Sequence, residues 1–486
     1  MQNHFKIFRE NTVGNEVIFQ TPYGEMPLIY ADWIASGRLY RPIEDSLLKN
    51  FGPFVGNTHT ETSETGTLMT KSYHLAHKLI KQHVNAGPDE VILTSGFGMT
   101  GVIVKFQRIL GLKSCGKLTG SKCIQENEKP VVFLTHMEHH SNQTSWYETC
   151  AEVVVLKPDK DLMINTKELR LQLEKYKDRK IKIGSFTACS NVTGICTPVH
   201  EMARIMHEYG GVCFIDYAAS APYTPINMHP SDPMEKLDAI YFSPHKFLGG
   251  PGASGVLIFD QKMYKIQSPD QPGGGTVEWT NPWGEYKFID DIEVREDGGT
   301  PGFLQAIKTA LAIEVKNKMG VENIHKREAE LTTTAFRELD NIPGLHILAE
   351  NQKDRLGIIS FYMTGVHFNL VAKLLSDRYG VQVRGGCACA GTYGHYLLHV
   401  SYEKSHKIAD RINYGDLSEK PGWVRLSLHP TMTDQELETV VRGLREIKAN
   451  YKSWGHDYVY NKHTNEFRHI SEHGERDEIV NSWFRL

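Results

Sequence analysis

Between about residue 75 and residue 260 the chain alternates short, β-rich apolar runs with stretches of helical length. The runs are Val91-Ile92-Leu93-Thr94, Val131-Val132-Phe133-Leu134, Val153-Val154-Val155-Leu156, Ile181-Lys182-Ile183-Gly184-Ser185-Phe186, Gly211-Val212-Cys213-Phe214-Ile215, Ala239-Ile240-Tyr241-Phe242 and Gly255-Val256-Leu257-Ile258-Phe259. Their shortness and their β-branched and aromatic content mark them as strands. Helix-length segments, such as residues 198–209, lie between several of them. The rhythm predicts an α/β fold, a mostly parallel seven-stranded sheet with helices on both faces. Ligands of such sheets sit beyond the carboxyl ends of the strands, so polar residues just after each run carry the interest.

Two stretches interrupt the pattern. Residues 111–130 are polar, with Gly and Lys, and read as an exposed insertion. Residues 269–302 are rich in Gly, Pro and aromatics and read as a long loop, a kind of segment often tied to function. Beyond residue 315 the pattern changes. A helical stretch over roughly 306–339 leads to a strand at 357–362, a helix at 368–375, and short strands at 381–384 and 424–428. Thr433-x-x-Glu436 is a capping box, and behind it Leu437, Val440, Val441, Leu444 and Ile447 fall on one helical stripe. This is a smaller α+β unit. The expected division is an N-terminal segment, 1–40, packed with the small domain; a large domain, 41–315; the small C-terminal domain, 316–450; and a C-terminal extension, 451–486.

Composition changes this picture little. The 486 residues are 40% hydrophobic and 23% charged, with a net charge of -4 and a pI near 6.6. A balance so close to neutral gives no electrostatic footprint for nucleic acid or a membrane surface. The first residues lack a signal-peptide core and no apolar run is long enough to span a bilayer, so a cytoplasmic location is expected. The eight cysteines are scattered, unlike those of a small disulfide scaffold.

Five polar elements follow predicted strands. Ser243-Pro244-His245-Lys246 places a Lys where burial can lower its pKa toward nucleophilic use; taken alone, a loop Lys is more often a solvated charge. Asp216 ends the run at 211–215, and a carboxylate there needs a partner; the pyridinium nitrogen of pyridoxal phosphate (PLP) is one, a turn cap another. Gly96, Phe97 and Gly98 lie in a turn entering a helix, where free amides can receive a phosphate. His139, within Met137-Glu138-His139-His140, can stack on a planar cofactor. A metal is not expected there: the spacing of His136, Glu138, His139 and His140 is neither H-E-x-x-H nor H-x-x-E-H. Asn191, in Ser190-Asn191-Val192-Thr193-Gly194, can bond a cofactor oxygen, or simply make a turn.

In this order the five elements resemble the class V aminotransferase family, PLP enzymes of fold type I. Within it the chain is most similar to group II cysteine desulfurases and selenocysteine lyases, over residues 28–447. The resemblance implies that Lys246 carries PLP as a Schiff base and shuttles protons, that His139 stacks on the ring, and that Asp216 holds its nitrogen. It implies phosphate contacts from Ser243 and His245, and from Thr300 of Gly299-Thr300-Pro301 toward a partner subunit, hence a homodimer with shared active sites. Arg425, in an R-x-S-L strand, would bind the carboxylate of a small amino-acid substrate, with Arg384 and Asn191 nearby. Cys389, in Arg384-Gly385-Gly386-Cys387-Ala388-Cys389-Ala390, matches the nucleophile that takes sulfur from L-cysteine, leaving alanine, with an acceptor protein as a possible further partner.

The match has three departures. Ala219 stands where desulfurases carry Gln or His, Gly98 where relatives often carry Thr, and Cys387 where group II members often carry His. Other readings therefore stand beside the desulfurase: an aminotransferase, epimerase or other PLP lyase in which Cys389 is incidental (an inert turn or a Cys387–Cys389 redox pair among the options), or a non-catalytic partner of a sulfur carrier. Ser36, Arg38, His59 and Thr60 are candidates for the substrate entrance.

Overall fold

The computed structural model describes residues 1–96, 98–113, 128–472 and 474–485. Each of the seven apolar runs is a strand: β1 (Glu90–Ser95), β2 (Val131–Leu134), β3 (Glu152–Val155), β4 (Lys182–Thr187), β5 (Val212–Asp216), β6 (Ala239–Phe242) and β7 (Gly255–Asp260). They form one sheet in the order β1-β7-β6-β5-β4-β2-β3. β3 through β6 run parallel with β2, whereas β7 is antiparallel to both of its neighbours. β2, β4, β6 and β7 are buried along their whole length, which is why their sequences lack a polar alternation. The expected helix after β4 is Val199–Glu208, with Met202, Ala203, Ile205 and Met206 buried.

The small domain carries a four-stranded antiparallel sheet: β8 (Leu345–Ile347), β9 (Ile358–Met363), β10 (Arg384–Gly386) and β11 (Trp423–Ser427), in the order β8-β9-β11-β10. Helix Asp434–Trp454 begins with the expected capping box: the Glu436 N–H donates to Thr433 Oγ (3.1 Å), and the Thr433 N–H to Glu436 Oε2 (2.9 Å). Such a cap is worth about 1 kcal/mol. All five residues of the predicted stripe are buried, each stabilising the unit by about 1.5–3 kcal/mol.

Three expectations change in detail. The helical stretch over 306–339 is two helices, Phe303–Met319 and Val321–Asp340, because Gly320 takes φ +76 and ends the first. The loop expected over 269–302 contains a hairpin, Val277–Thr280 with Tyr286–Phe288, and a short helix, Ile292–Glu296. Trp283 at the hairpin turn is 82% exposed, which hides the hairpin from a reading based on burial patterns. The strand expected at 381–384 is two: Val381–Gln382 pairs in parallel with Ile29–Tyr30, and β10 pairs with β11.

The C-terminal extension is ordered around a hairpin, β12 (Tyr458–Asn461) with β13 (Glu466–His469), followed by helix Glu475–Trp483. It packs on helix Phe368–Tyr379: the Tyr458 hydroxyl donates to Asp377 (2.9 Å), and Lys373 bridges Asp377 (2.9 Å) and Glu472 (2.5 Å). Of the insertion at 111–130, residues 114–127 lie outside the described residues, as does Phe97. Among the described residues no helix is long and apolar enough to cross a membrane.

Candidate active site

The carboxyl ends of β4, β5 and β6 face the small domain across a cleft of about 200 Å³. Lys246 lies in a short turn, Pro244–Lys246, just beyond β6. Burial lowers its amine to about pH 8; Arg425 and Arg384 push the same way and Asp216 opposes them. Asp216 is the last residue of β5, where burial raises its carboxyl to about 6 and the Ala218 N–H, donating to Oδ1 (2.8 Å), pulls it back. Both groups line the cleft.

His139 caps helix His140–Tyr147: the Ser141 N–H donates to its Nδ1 (3.1 Å). Burial lowers the imidazole to about 3, so the ring in the cleft is neutral. Its neighbours turn elsewhere. Glu138 is buried and accepts from the Thr135 hydroxyl (2.7 Å), the Thr187 N–H (2.9 Å) and the Asn142 amide (2.7 Å). His136 meets the Leu162 carbonyl (3.0 Å), and His140 Nε2 accepts from the Gly391 N–H (3.0 Å). Among the described residues no group of three His, Cys, Asp or Glu is placed to hold a metal ion.

Beyond β1 the chain turns at Gly98, φ +59. A Cβ there would stand 3.1 Å from Ser243 Oγ and within 3.7 Å of the His245 ring. The Met99 N–H donates to Ser243 Oγ (2.9 Å), so the helix start and the Ser243–His245 turn share one nook. Gly98 is what lets them approach. Gly96 is not among the residues that line the cleft, whereas Met99 and Thr100 are.

The opposite wall belongs to the small domain. Arg425, on β11, donates from Nη2 to Asp32 Oδ1 (2.9 Å) and from Nη1 to the Asn191 carbonyl (3.2 Å). Arg384 donates from Nε to the other Asp32 oxygen (3.2 Å). One carboxylate thus holds both cations. The Asn191 amide donates to the Ala388 carbonyl (2.8 Å). Asn191 Oδ1 and Arg425 Nε are buried with no hydrogen-bond partner among the described residues. An unmet buried polar atom costs about 1–3 kcal/mol, so this wall is built to receive a polar ligand.

Ala388 and Cys389 both lie in the left-handed region, at φ +49 and +55. Each such residue other than glycine costs about 1 kcal/mol or more. The loop is held by the His140 N–H on the Cys389 carbonyl (2.8 Å), the Asn191 amide on the Ala388 carbonyl, and the Gly391–His140 contact. Cys389 is exposed and lines both the cleft and an adjoining broad groove, whose rim carries Arg384, Lys420, Arg468 and Arg476. Cys387 lines the groove alone.

The structure therefore gathers His139, Asn191, Asp216, Ser243, His245, Lys246, Arg384, Cys389 and Arg425 around one cleft, with Ala219 in its wall. Thr300 is exposed and outside the cleft of its own chain. The entrance candidates are not in its lining: Arg38 turns to the Val13 carbonyl (3.2 Å), Thr60 to Thr62 (2.9 Å), His59 lies beside Gly275, and the Ser36 hydroxyl donates to the His245 carbonyl (3.4 Å) while its carbonyl accepts from the Tyr30 hydroxyl (3.0 Å). Ile34 and Ala35 line the cleft instead. Asp32 escaped the sequence reading. Its signal was a carboxylate inside the apolar stretch Ile29-Tyr30-Ala31-Asp32-Trp33-Ile34, where a buried charge demands a partner.

A family model described as Aminotransferase class-V matches residues 29–440. A cysteine desulfurase of Haloferax volcanii is 26% identical over 426 residues, 83% of this chain and 93% of that protein. Among solved structures, an apo cysteine desulfurase from Thermococcus onnurineus superposes with a TM-score of 0.71 at 23% identity, covering 87% of this chain and 95% of the other. An Escherichia coli cysteine desulfurase gives 0.69 at 21% identity, covering 89% and 97%. These likenesses share the fold, a large mostly parallel sheet with a small C-terminal domain. The chain belongs to the class V aminotransferase family of enzymes.

Proposed function

We propose that the protein is a PLP-dependent cysteine desulfurase that also accepts L-selenocysteine. The observation that carries the reading is the position of Cys389, on a strained loop where the cleft of Lys246 and Asp216 opens to the outer groove. The cleft fits PLP on its own geometry. The nook of Gly98, Ser243 and His245 suits the phosphate, Asp216 the pyridine nitrogen, and the neutral His139 ring the flat face. The buried unpartnered atoms of Asn191 and Arg425 give further polar contacts. Lys246, with an amine near pH 8, is the residue that would hold the cofactor covalently. When bound, PLP supplies an electron sink that weakens the Cα–H and Cβ–S bonds of an amino acid.

The remaining roles belong to side chains. Arg425 offers its Nε edge to the substrate carboxylate while Asp32 keeps the other edge and orients Arg384. Lys246 takes and returns the proton at Cα, a task suited to an amine with pKa close to neutrality. The Cys389 thiolate attacks the substrate sulfur. The Cβ–S bond breaks, an S–S bond forms, and cysteine plus the enzyme thiol become alanine plus the enzyme persulfide. The basic groove outside Cys389 then admits the species that carries the sulfur away. The exposure of Thr300 accords with a homodimer in which it faces the partner's phosphate nook. The described cysteines are free thiols, which supports a reducing, cytoplasmic setting.

The test is an absorption spectrum of the PLP-loaded protein before and after L-cysteine, with alanine and sulfide assayed. A band that shifts with cysteine while both products form supports the reading. A band indifferent to cysteine moves the protein to an aminotransferase or epimerase, and no band with added PLP removes Lys246 from its role.

A further inference from the structure

Cys189 and Cys196 face each other across the base of a tight hairpin. They form an isolated antiparallel bridge. The backbone bonds lie on either side of them, Ser190 N–H to the Ile195 carbonyl (2.9 Å) and Thr197 N–H to the Ala188 carbonyl (3.0 Å). The pair is therefore of the non-hydrogen-bonded kind, in which opposed Cα atoms are only about 4.5 Å apart and both side chains leave the same face. That separation falls within the range a disulfide spans, about 4.4–6.8 Å. Both are free thiols, Cys189 buried and Cys196 exposed.

The two differ in readiness to react. Burial pushes the Cys189 thiol up, while the hydrogen bond from Cys189 holds the Cys196 thiol below its ordinary value. Glu328 raises the Cys189 thiol and is itself pushed up to about 8 by burial, so it adds little negative charge, whereas Asp354 acts on Cys196 and opposes its lowering without reversing it. Cys196 is thus the group that meets an oxidant, and Cys189 the one that resolves it.

We propose that Cys189 and Cys196 form a reversible disulfide, a modification site in the wall of the cleft. The co-reactant is a small-molecule disulfide of the glutathione type. The Cys196 thiolate attacks it, releasing one thiolate and leaving a mixed disulfide. The Cys189 sulfur then displaces the second thiolate, its proton passing to that leaving group. The two protein thiols lose two protons and two electrons, and the external S–S bond is reduced to two thiols. The site matters because Cys189 lines the cleft and the bridged loop carries Asn191, which holds both the Ala388 carbonyl and Arg425. Oxidation would fix this loop from outside the reaction itself.

The test treats the full-length protein with oxidised glutathione, alkylates the remaining thiols and maps peptides by mass. It reads thiols rather than turnover, so it stands apart from the desulfurase reading. The expected result is an internal bridge in the single peptide that carries Cys189 and Cys196, short by two hydrogens, unalkylated at both cysteines and reversed by dithiothreitol. In Cys196→Ser, which leaves the cleft lining untouched, Cys189 should stay alkylatable only on unfolding and form no bridge. Wild-type Cys189 that never cross-links, or that pairs with another cysteine, would overturn the proposal.

Discussion

The two walls of the cleft are built on different principles. The large-domain wall is made of strand ends: Asp216 closes a fully hydrogen-bonded strand, Lys246 follows another at once, and His139 is fixed by its own cap on a helix. The small-domain wall is made of a loop with two left-handed residues, pinned by single hydrogen bonds from His140 and Asn191, and of two arginines sharing one aspartate. A flat cofactor needs atoms held at fixed places, which regular structure provides. A thiol that must reach a reacting sulfur and then face outward is better served by a loop whose geometry costs little to alter.

Substitutions on the rigid wall should abolish the reaction. Lys246→Ala is expected to lower kcat by about 10³-fold or more, since no neighbour replaces its amine; the check is alanine release in PLP-saturated protein. On the loop-built wall, Cys389→Ala should lower kcat by about a hundredfold while the cofactor spectrum stays unchanged, because the Ser243 and His245 nook belongs to the other wall. A cofactor lost together with turnover would erase the distinction between the walls.

Asp32→Asn sharpens it further. Removing the shared carboxylate leaves Arg425 and Arg384 repelling each other across the site. kcat/KM for L-cysteine is expected to fall about tenfold, mainly through KM, as orientation rather than chemistry is lost. Steady-state kinetics separates the two.

The smallest effect lies beneath the rigid wall. Burial raises Glu138 to about 7 from 4.5. With the folded pKa above the unfolded one, the folded state holds the extra proton, so this group's contribution is fully present below pH 4.5 and is lost as pH rises through 7. Wild type should lose at most about 3 kcal/mol over that window from this group. Glu138→Gln cannot titrate, and its urea-unfolding stability should lack that slope, though it is lower overall because the Gln amide meets the Asn142 amide.

The rigid wall was the legible one. A buried parallel sheet writes its strands as unbroken apolar runs, so each run, and each polar residue just past it, could be read from the chain. The other wall is assembled from segments far apart in sequence. Asp32 lies 393 positions from Arg425, and no local pattern states that they meet. Cys189 and Cys196 sit opposite each other only because a hairpin register places them so. The exposed Trp hairpin and the break at Gly320 were hidden for local reasons, the first by lack of burial and the second by a single left-handed glycine.

The central claim is that Cys389 receives the substrate's sulfur. The direct measurement is a single turnover of PLP-loaded protein with L-cysteine and no external thiol, followed by alkylation and peptide mass mapping. The account predicts one added sulfur atom on the peptide of Cys389, in proportion to the alanine formed. Alanine released with Cys389 unmodified, or sulfur found only on another cysteine, would contradict it.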